Sequence, residues 1–574
     1  MTTTNQAPVA EAPTRREWLG LGVLAAGLGM IVLDGTVVNV ALPDIVRDLK
    51  LDLTEAQWVS SLYAVLLAAL LLVTGRLSDR WGRRSLFIAG LVVFGAASGF
   101  AAASGNASEL LTARAIQAIG AALIMPSTLS TVNAVFRGRY RAAAFGVWGA
   151  VISGAAAIGP LVGGALTQWA SWHWIFLINI PIAIIVVVGA VFTVPATRGS
   201  NPRPGADVDG ALLSAIGLGS LVFAVIQGPT VGWWAPTTSF RFLGWTWPQS
   251  APISIVPVAF AVAAVALTLF VFWERHRERV KRSALLDLNL FHFGTFSWGN
   301  VTAATVAVGE FALLFVLPLY LVNALGLDIL GAGLVLAAMA IGAFFSGAAA
   351  RHLAARLGAP GTVLLGLALE VSGGIVLALL VTGTTPGWIV ALPLALYGLG
   401  LGLASAQLTG TVLSEIPVGM SGQGSATQST IRQIGSAIGT AVSGAVLSAA
   451  LAMTLPSSLH DVGVSGATAT QLAEATRSSA GTTITQLRAT GGTRPFGAHT
   501  DQVVGSLARG FAEATRWSLL IAVVFLGSRG RGHGAPSERP RSQVGRREAV
   551  TWVRGFGYRR TLTDAAIFPI GFIR

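Results

Sequence analysis

The stretch Gly75-Arg76-Leu77-Ser78-Asp79-Arg80-Trp81-Gly82-Arg83-Arg84 organises the fold of this chain. It joins two long apolar runs, 57–74 and 85–103, and is too short to leave a membrane surface. Its two flanking glycines permit a tight turn with close approach of helices. Its aspartate can cap a helix or pair with an arginine, and its four arginines favour the cytoplasmic side of a membrane. The stretch therefore predicts a hairpin between two membrane-spanning helices, with a merely solvated basic loop as the alternative.

The composition excludes a single soluble domain. The chain has 574 residues, of which 53% are hydrophobic and 11% charged, and its mean hydropathy is +0.69. That balance is typical of a polytopic helical membrane protein. The net charge of +13 suggests nucleic-acid binding at first sight, but arginines at cytoplasmic membrane edges and in the last 48 residues account for it. We therefore expect a lipid bilayer as the surroundings and no nucleic-acid partner.

The sequence offers no chemistry for a metal, a nucleotide or an enzyme reaction. There is no cysteine, and the histidines are scattered without ligand spacing. No glycine-rich G-K-[ST] loop is present, so ATP is not expected to drive the protein directly. We expect no cofactor and no catalytic residue, and an ion gradient as the energy source.

Fourteen apolar runs of about 20 residues are long enough to cross a bilayer. We number them as spans 1 to 14, and they lie near 18–40, 57–77, 85–103, 109–131, 143–166, 174–194, 209–228, 252–273, 295–319, 329–350, 361–383, 387–413, 425–450 and 512–526. The first is too long for a signal peptide and is interpreted as a retained span. The last contains only about ten apolar residues, so we expect a short final helix followed by a basic tail that is disordered or altered in reading frame.

Arginine placement predicts the orientation. With the N-terminus in the cytoplasm, the inner loops carry nearly all the arginines, which satisfies the positive-inside rule of a bacterial inner (cell) membrane. The stretch 351–358 resembles a degraded copy of 75–84, which predicts two repeated halves. The predicted units are a cytoplasmic N-terminus (1–17), a six-helix bundle (18–194), a linker with inserted spans 7 and 8 (195–294), a second six-helix bundle (295–526) with an external loop (455–510), and the tail (527–574).

Charged residues inside a bilayer are costly and are functional candidates by default. Asp34 in span 1 and Arg114 in span 4 lie at similar depth and can pair, as a proton site that switches or as a static pair that fixes packing. Glu310 in span 9 is a second candidate for carrying a proton or recognising a cation, against a satisfied structural acid. For Glu370 in span 11 we favour a structural role or a place at the lipid edge.

Span 5 has a face of small residues and one helix-bending proline. The face consists of Gly149, Gly154, Gly159, Pro160, Gly163 and Gly164. Such spacing lets helices approach closely, and generic packing is the alternative interpretation.

These features together resemble a known family. The spacing G-x-L-x-D-R-x-G-R-R resembles the signature between helices 2 and 3 of the major facilitator superfamily, and G-x-x-x-x-G-P-x-x-G-G of span 5 resembles its antiporter motif. The stretches 33–43, 172–181 and 432–439 resemble the fourteen-helix drug:H+ antiporter branch, the EmrB/QacA type. The arginine motif of span 4 matches except that Ala118 replaces a usual glycine. The resemblance covers about 18–453.

The resemblance implies an all-α major facilitator fold, in which two six-helix bundles and two inserted helices surround a central cavity. Alternating access would exchange protons, through Asp34, Arg114 and Glu310, for a hydrophobic drug, dye or secondary metabolite that can be cationic. The gating residues would be Gly75, Asp79, Arg80, Gly82, Arg83 and Arg84. Candidate cavity residues are Asn39, Gln117, Trp148, Gln407 and Gln433, with helix–helix hydrogen bonds as an equal alternative. We expect a monomer, and the rival functions are a nutrient importer and a transport-inactive membrane protein.

Overall fold

The computed structural model describes residues 13–527 except 137, 199–206, 243–244, 283, 417–420 and 491–495. The side chains of Asp79, Trp148 and Gly149 also lie outside the described residues, as does the tail from 528 onward.

The chain is mostly helical. The helices are α1 Arg15–Leu49, α2 Leu53–Trp81, α3 Arg83–Ala102, α4 Ala107–Val135, α5 Gly138–Trp169, α6 Trp174–Leu177, α7 Asn179–Thr193, α8 Val208–Val231, α9 Ile255–Arg279, α10 Gly294–Leu319, α11 Ile329–Leu380, α12 Gly387–Val412, α13 Ser421–His460, α14 Gly466–Ser478, α15 Thr482–Thr490 and α16 Thr500–Gly527. A 3₁₀ turn, Leu288–His292, precedes α10 and a π turn, Tyr320–Ala324, extends it.

Twelve helical stretches within the described residues are long and apolar enough to cross a membrane. One of them, α11, contains two crossings, because Gly358 has a left-handed φ of 74° and breaks the helix into segments 329–357 and 359–380. The 32-residue helix α5 adds another crossing. Counted in this way, the described chain contains the fourteen spans that the sequence predicts. We call the side of the molecule that carries residues 75–84 the loop face and the opposite side the far face.

Side-chain caps fix where the first two helices begin. Thr14 and Glu17 form a reciprocal capping box at the start of α1, and Asp52 and Glu55 form another at the start of α2. Gly82 has a φ of 104° and separates α2 from α3 by one residue. A residue with a Cβ would be strained there, so this glycine permits the predicted hairpin.

In the described chain, one pair of β-strands lies between the helices. A short antiparallel hairpin pairs β1 (Phe240–Phe242) with β2 (Trp245–Trp247) between α8 and α9. Trp247 Nε1 donates a hydrogen bond to Ile253 O (2.9 Å), while Trp234 is 78% exposed. Exposed tryptophans are typical of the membrane–water interface.

The last helix is longer than the sequence predicts. Helix α16 has 28 residues, roughly 42 Å at 1.5 Å per residue, and it begins inside the predicted external loop. The prediction of a short final helix fails because it counted only continuous apolar residues. Val503, Leu507 and Phe511 form a buried stripe four residues apart, so an amphipathic helix packs here.

The segment predicted as an external loop (455–510) is shorter than expected. Hydrogen bonds attach it to the second half. Helix α13 continues to His460, which leaves 461–499 between α13 and α16, and α14 and α15 occupy much of it. The guanidinium of Arg488 donates to Ala324 O (2.8 Å) and Asn323 O (3.4 Å) at the end of the π turn. These bonds satisfy carbonyl groups that the helix end leaves free.

The hydrophobic core shows where the two halves meet. A single cluster joins the far-face ends of α1, α2 and α4 to those of α10, α11, α12, α13 and α16. Toward the loop face the first half has its own cluster and the second half another. The inserted helix α8 packs its Leu218, Val222 and Ile226 against both α2 and α13. The halves are therefore packed together on the far-face side of this structure.

Candidate functional site

The centre of the first half contains a buried ion pair. Arg114 Nη1 of α4 lies 2.5 Å from Asp34 Oδ2 of α1, and the two side chains are 2% and 0% exposed. An ionised group at this depth is stable only when its partner and its hydrogen bonds are in place, since removing one partner of a buried pair costs about 3–5 kcal/mol. The structure thus brings together the two residues that the sequence analysis pairs.

Polar side chains from two further helices complete this pair. Asn179 Nδ2 of α7 donates to Asp34 Oδ1 (2.9 Å), and Gln117 Nε2 donates to the same oxygen (3.2 Å). Both amides also donate to Ser98 Oγ of α3, at 3.3 and 2.8 Å. Arg114 Nη1 donates to Gln117 Oε1 (2.9 Å). Four helices therefore share one buried network around the carboxylate of Asp34.

Helix α2 covers the guanidinium of Arg114 from the remaining side. Its Cζ atom lies 4.2 Å from the centre of the Tyr63 ring, a cation–π contact, and its Nε donates to Val59 O (3.4 Å). Within the described chain the Tyr63 hydroxyl is buried without a hydrogen-bond partner. Helix α2 therefore contacts the charged guanidinium of Arg114 directly.

The small-residue face of α5 links this network to the boundary between the halves. A Cβ at Gly159 would collide with Thr36, and one at Gly163 would lie 3.1 Å from Val37, both on α1 next to Asp34. On its other side α5 meets α11, where a Cβ at Gly333 would lie 2.5 Å from Pro160 O. Only glycine at these positions lets α1, α5 and α11 approach so closely.

Two of the predicted antiporter residues have different surroundings. Gly164 also faces α11, because a Cβ there would lie 3.1 Å from Ile329 O, whereas Gly154 has nothing within 4 Å of such a Cβ. Among the described antiporter residues, the close contacts of α5 with α1 and α11 are thus at Gly159, Pro160, Gly163 and Gly164.

A second ion pair lies in the other half. Arg432 Nη2 of α13 is 3.0 Å from Glu310 Oε2 of α10, and the two side chains are 47% and 14% exposed. This pair differs from Asp34–Arg114 because the side chain of its arginine is partly exposed. Arg432 lies in one of the stretches that carry the family resemblance, yet the sequence analysis did not single it out.

The face of α13 that carries Arg432 lies between the halves. Gly435 and Gly439 pack against α10, while Ala437 and Ala441 pack against α2 of the first half. At 100° per residue, the part of this strip toward the loop face carries four partly or fully exposed residues, whereas Ser436 further along is buried. The four exposed residues are Ser425, Ser429, Arg432 and Gln433. The strip is a polar and partly exposed part of α13 that lies between the halves.

The other predicted cavity residues have mixed environments. Gln407 is partly exposed, as a wall residue should be. Asn39 is 4% exposed and bonds to Ser60 Oγ (3.1 Å) and Gly35 O (3.0 Å). Gln117 is fully buried in the Asp34 network. In this conformation Asn39 and Gln117 therefore form hydrogen bonds between helices, which is the alternative to a position in the cavity.

The signature loop packs against the end of α7. Arg84 Nη2 donates to Val191 O (2.7 Å), and the backbone N–H of Arg83 donates to Thr197 O (3.1 Å). Arg80 is exposed. These described contacts stay within the first half, and the predicted partnership of Asp79 lies outside the described side chains.

Glu370 does not lie at the lipid edge. It is 0% exposed, on the face of α11 that meets α12, so the predicted lipid-edge role is wrong. The sequence analysis also missed Ser98, Asn179 and Tyr63. Asn179 lies in the quoted stretch 172–181 and could have been found from it, whereas Ser98 and Tyr63 carry no signal apart from their location in apolar spans.

Membrane-length helices packed as two halves, each with an ion pair between its helices, are typical of a membrane transporter. The sequence model of the Major Facilitator Superfamily matches residues 24–440. The chain belongs to this superfamily.

The chain is similar to curated bacterial proteins over most of their length. The chain is 33% identical over 417 residues to the methylenomycin A resistance protein of Bacillus subtilis, covering 72% of this chain and 84% of that protein. It is 32% identical to the probable actinorhodin transporter of Streptomyces coelicolor, with coverages of 74% and 72%. It is 31% identical to the multidrug efflux pump LfrA of Mycolicibacterium smegmatis, with coverages of 74% and 80%.

A solved structure has the same fold. A bacterial homologue of the human lysosomal transporter Spinster, in an inward-facing and unoccupied conformation, superimposes with a TM-score of 0.55. The match covers 90% of this chain and 95% of that one, at 17% sequence identity.

Proposed function

We propose that this protein is a proton-coupled exporter that expels a hydrophobic small molecule, with cationic compounds among its cargo, from a bacterial cell by alternating access. The observation that carries the proposal is the buried Asp34–Arg114 pair, joined through α1 to the glycine face of α5 at the boundary between the halves. The names of the relatives, which refer to antibiotic resistance and multidrug efflux, support export rather than import.

The proposed cycle begins with the cavity open toward the loop face, which we place in the cytoplasm, with the N-terminus on the same side. Cargo enters along the strip of α13 that carries Arg432 and Gln433. The far-face core then separates and the loop face closes. A single chain supplies both halves of the cavity, so a monomer suffices.

Protonation of Asp34 would drive the return step. A neutral carboxyl no longer balances the charge of Arg114, so the network of Gln117, Asn179 and Ser98 must rearrange. Because α1 packs directly on α5, and α5 on α11, a shift of α1 changes how the two halves meet. The energy of the proton gradient would reach the interface by this route.

The test is ethidium transport into inverted membrane vesicles, with and without an imposed pH gradient. Wild type should accumulate the dye only with the gradient, and Asp34→Asn should lose about tenfold or more of that accumulation, as expected for loss of a proton-coupling group. The control Asp209→Asn neutralises an exposed carboxylate at the start of α8 and should behave like wild type. Gradient-driven transport that survives in Asp34→Asn would refute the proposed role of Asp34.

A further inference from the structure

The same type of helix crossing occurs in both halves, with the same spacing of glycines. Gly82 has a positive φ, and Gly90 follows it by eight residues. Gly358 also has a positive φ, and Gly366 follows it by eight residues. The first pair lies at the start of α3 and the second at the start of the second segment of α11. The structural correspondence extends the sequence repeat of 75–84 and 351–358.

Each repeat meets the next helix through a close contact of two glycines. A Cβ at Gly90 would lie 2.7 Å from Gly120 O of α4, and a Cβ at Gly366 would lie 2.7 Å from Gly400 O of α12. The α3–α4 crossing and the crossing of α11 with α12 therefore have the same register. Residues at equal distances from these glycines occupy equivalent positions.

This register places Glu370 where the first half has Phe94. Each residue follows its crossing glycine by four positions, and each backbone nitrogen faces the glycine of the partner helix. A Cβ at Gly120 would lie 2.7 Å from Phe94 N, and a Cβ at Gly400 would lie 2.6 Å from Glu370 N. Phe94 is fully buried in the core of the first half. Packing at this position is thus satisfied by an apolar ring and does not require a carboxyl group.

Glu370 is buried without stabilising bonds. Its exposure is 0%, and in the described part of the chain neither carboxylate oxygen has a hydrogen-bond partner. The Tyr397 hydroxyl of α12, at the position equivalent to Gln117, is also buried and unpartnered there. An unpaired carboxylate in such a site costs several kcal/mol. The carboxyl group is therefore neutral in this conformation.

Charged and titratable groups are present on the helices around this site. The neighbouring helices carry Glu310 on α10, Arg432 on α13 and Tyr397 on α12, and Glu310 and Arg432 form an ion pair with each other. From α16, Arg516 donates to Ala378 O (3.1 Å), two turns further along α11. The second half therefore contains both the ion pair Glu310–Arg432 and the buried acid Glu370.

We propose that Glu370 is a second proton-binding site of the transport cycle, which belongs to the second half. The inference rests on the proposed proton-coupled function. When the second half rearranges and water from the cavity reaches Glu370, the O–H bond of its carboxyl group breaks and the proton passes to that water. The proton returns by the reverse step when the site closes.

The first arm of the test is an infrared pH titration of the purified full-length chain in detergent. Wild type should show a neutral-carboxyl band that is absent in Glu370→Gln and that disappears during an alkaline pH titration, because burial favours the neutral form of a carboxyl group. Glu310→Gln identifies the band of the other acid. A Glu370 band that stays constant during this titration overturns the proposal, because a permanently neutral acid carries no proton.

The second arm is transport in proteoliposomes. Glu370→Gln should lose about tenfold of gradient-driven accumulation, within the usual range of coupling energies, and should retain dye exchange at equal pH, which needs no net proton movement. Full gradient-driven accumulation in this variant overturns the proposal. If Glu370→Gln fails to fold, Glu370→Phe introduces the residue that the first half uses at this position. If wild type shows no gradient-driven transport, the proposed function fails, and the infrared titration alone decides whether Glu370 exchanges a proton.

Discussion

The ion pair Asp34–Arg114 makes a quantitative prediction about stability. In Arg114→Gln the carboxylate of Asp34 stays buried without its counterion, and in Asp34→Asn the guanidinium of Arg114 does. Each single variant should lose about 3–5 kcal/mol of unfolding free energy. The double variant contains neither charge, and its two amides can bond to each other and to Gln117. It should therefore be no less stable than either single variant.

The assay is equilibrium unfolding of the detergent-solubilised chain, analysed as a double-mutant cycle. The control is Glu474→Gln, which breaks the exposed pair with Arg477 on α14 and should cost about 0–1 kcal/mol. Additive losses in the double variant would show that the two charges do not stabilise one another and would refute the reasoning.

Two further predictions concern the boundary between the halves. The chain has no cysteine, so Gln57→Cys combined with Gly444→Cys, two positions in contact on the far-face side, should form a cross-link that stops dye exchange until it is reduced. A cross-linked protein that still exchanges dye would contradict alternating access. Gly333→Val places a side chain against Pro160 O and should cost about 1–3 kcal/mol of unfolding free energy and most of the exchange activity, whereas Gly22→Ala, with open space around it, should change neither. Equal exchange rates in the two variants would show that this contact does not matter.

Much of the fold could be predicted because membrane insertion imposes strong local rules. A bilayer requires apolar runs of about 20 residues and puts arginines on one side, so the spans and the hairpin at Gly82 are visible in the sequence. The last helix was misjudged because the first part of α16 is amphipathic, with a buried apolar stripe on one side and the charged residues Asp501, Arg509 and Glu513 on its exposed side. Its polar residues interrupt the apolar run without interrupting the helix.

The parts of the site that consist of single charged residues in apolar spans could be predicted from the sequence. Asp34, Arg114 and Glu310 are conspicuous in apolar spans, and the sequence indicated the first pair from depth alone. Ser98 and Tyr63 were not predictable, because hydroxyl groups are common in membrane helices and become informative only when a charge lies beside them. Arg432 was missed although it lies in a recognised stretch, since its partner Glu310 is 122 residues away.

The sequence by itself determined the family, the number of crossings and the residues that cannot remain charged in a bilayer without a partner. These follow from the cost of polar groups in hydrocarbon, which acts on each span separately. The tertiary structure decided which charges are paired, which face of α13 borders the cavity, and that Glu370 lies buried where the first half has Phe94. Those facts depend on the rotation and register of packed helices, which are set by glycine contacts between segments far apart in the chain.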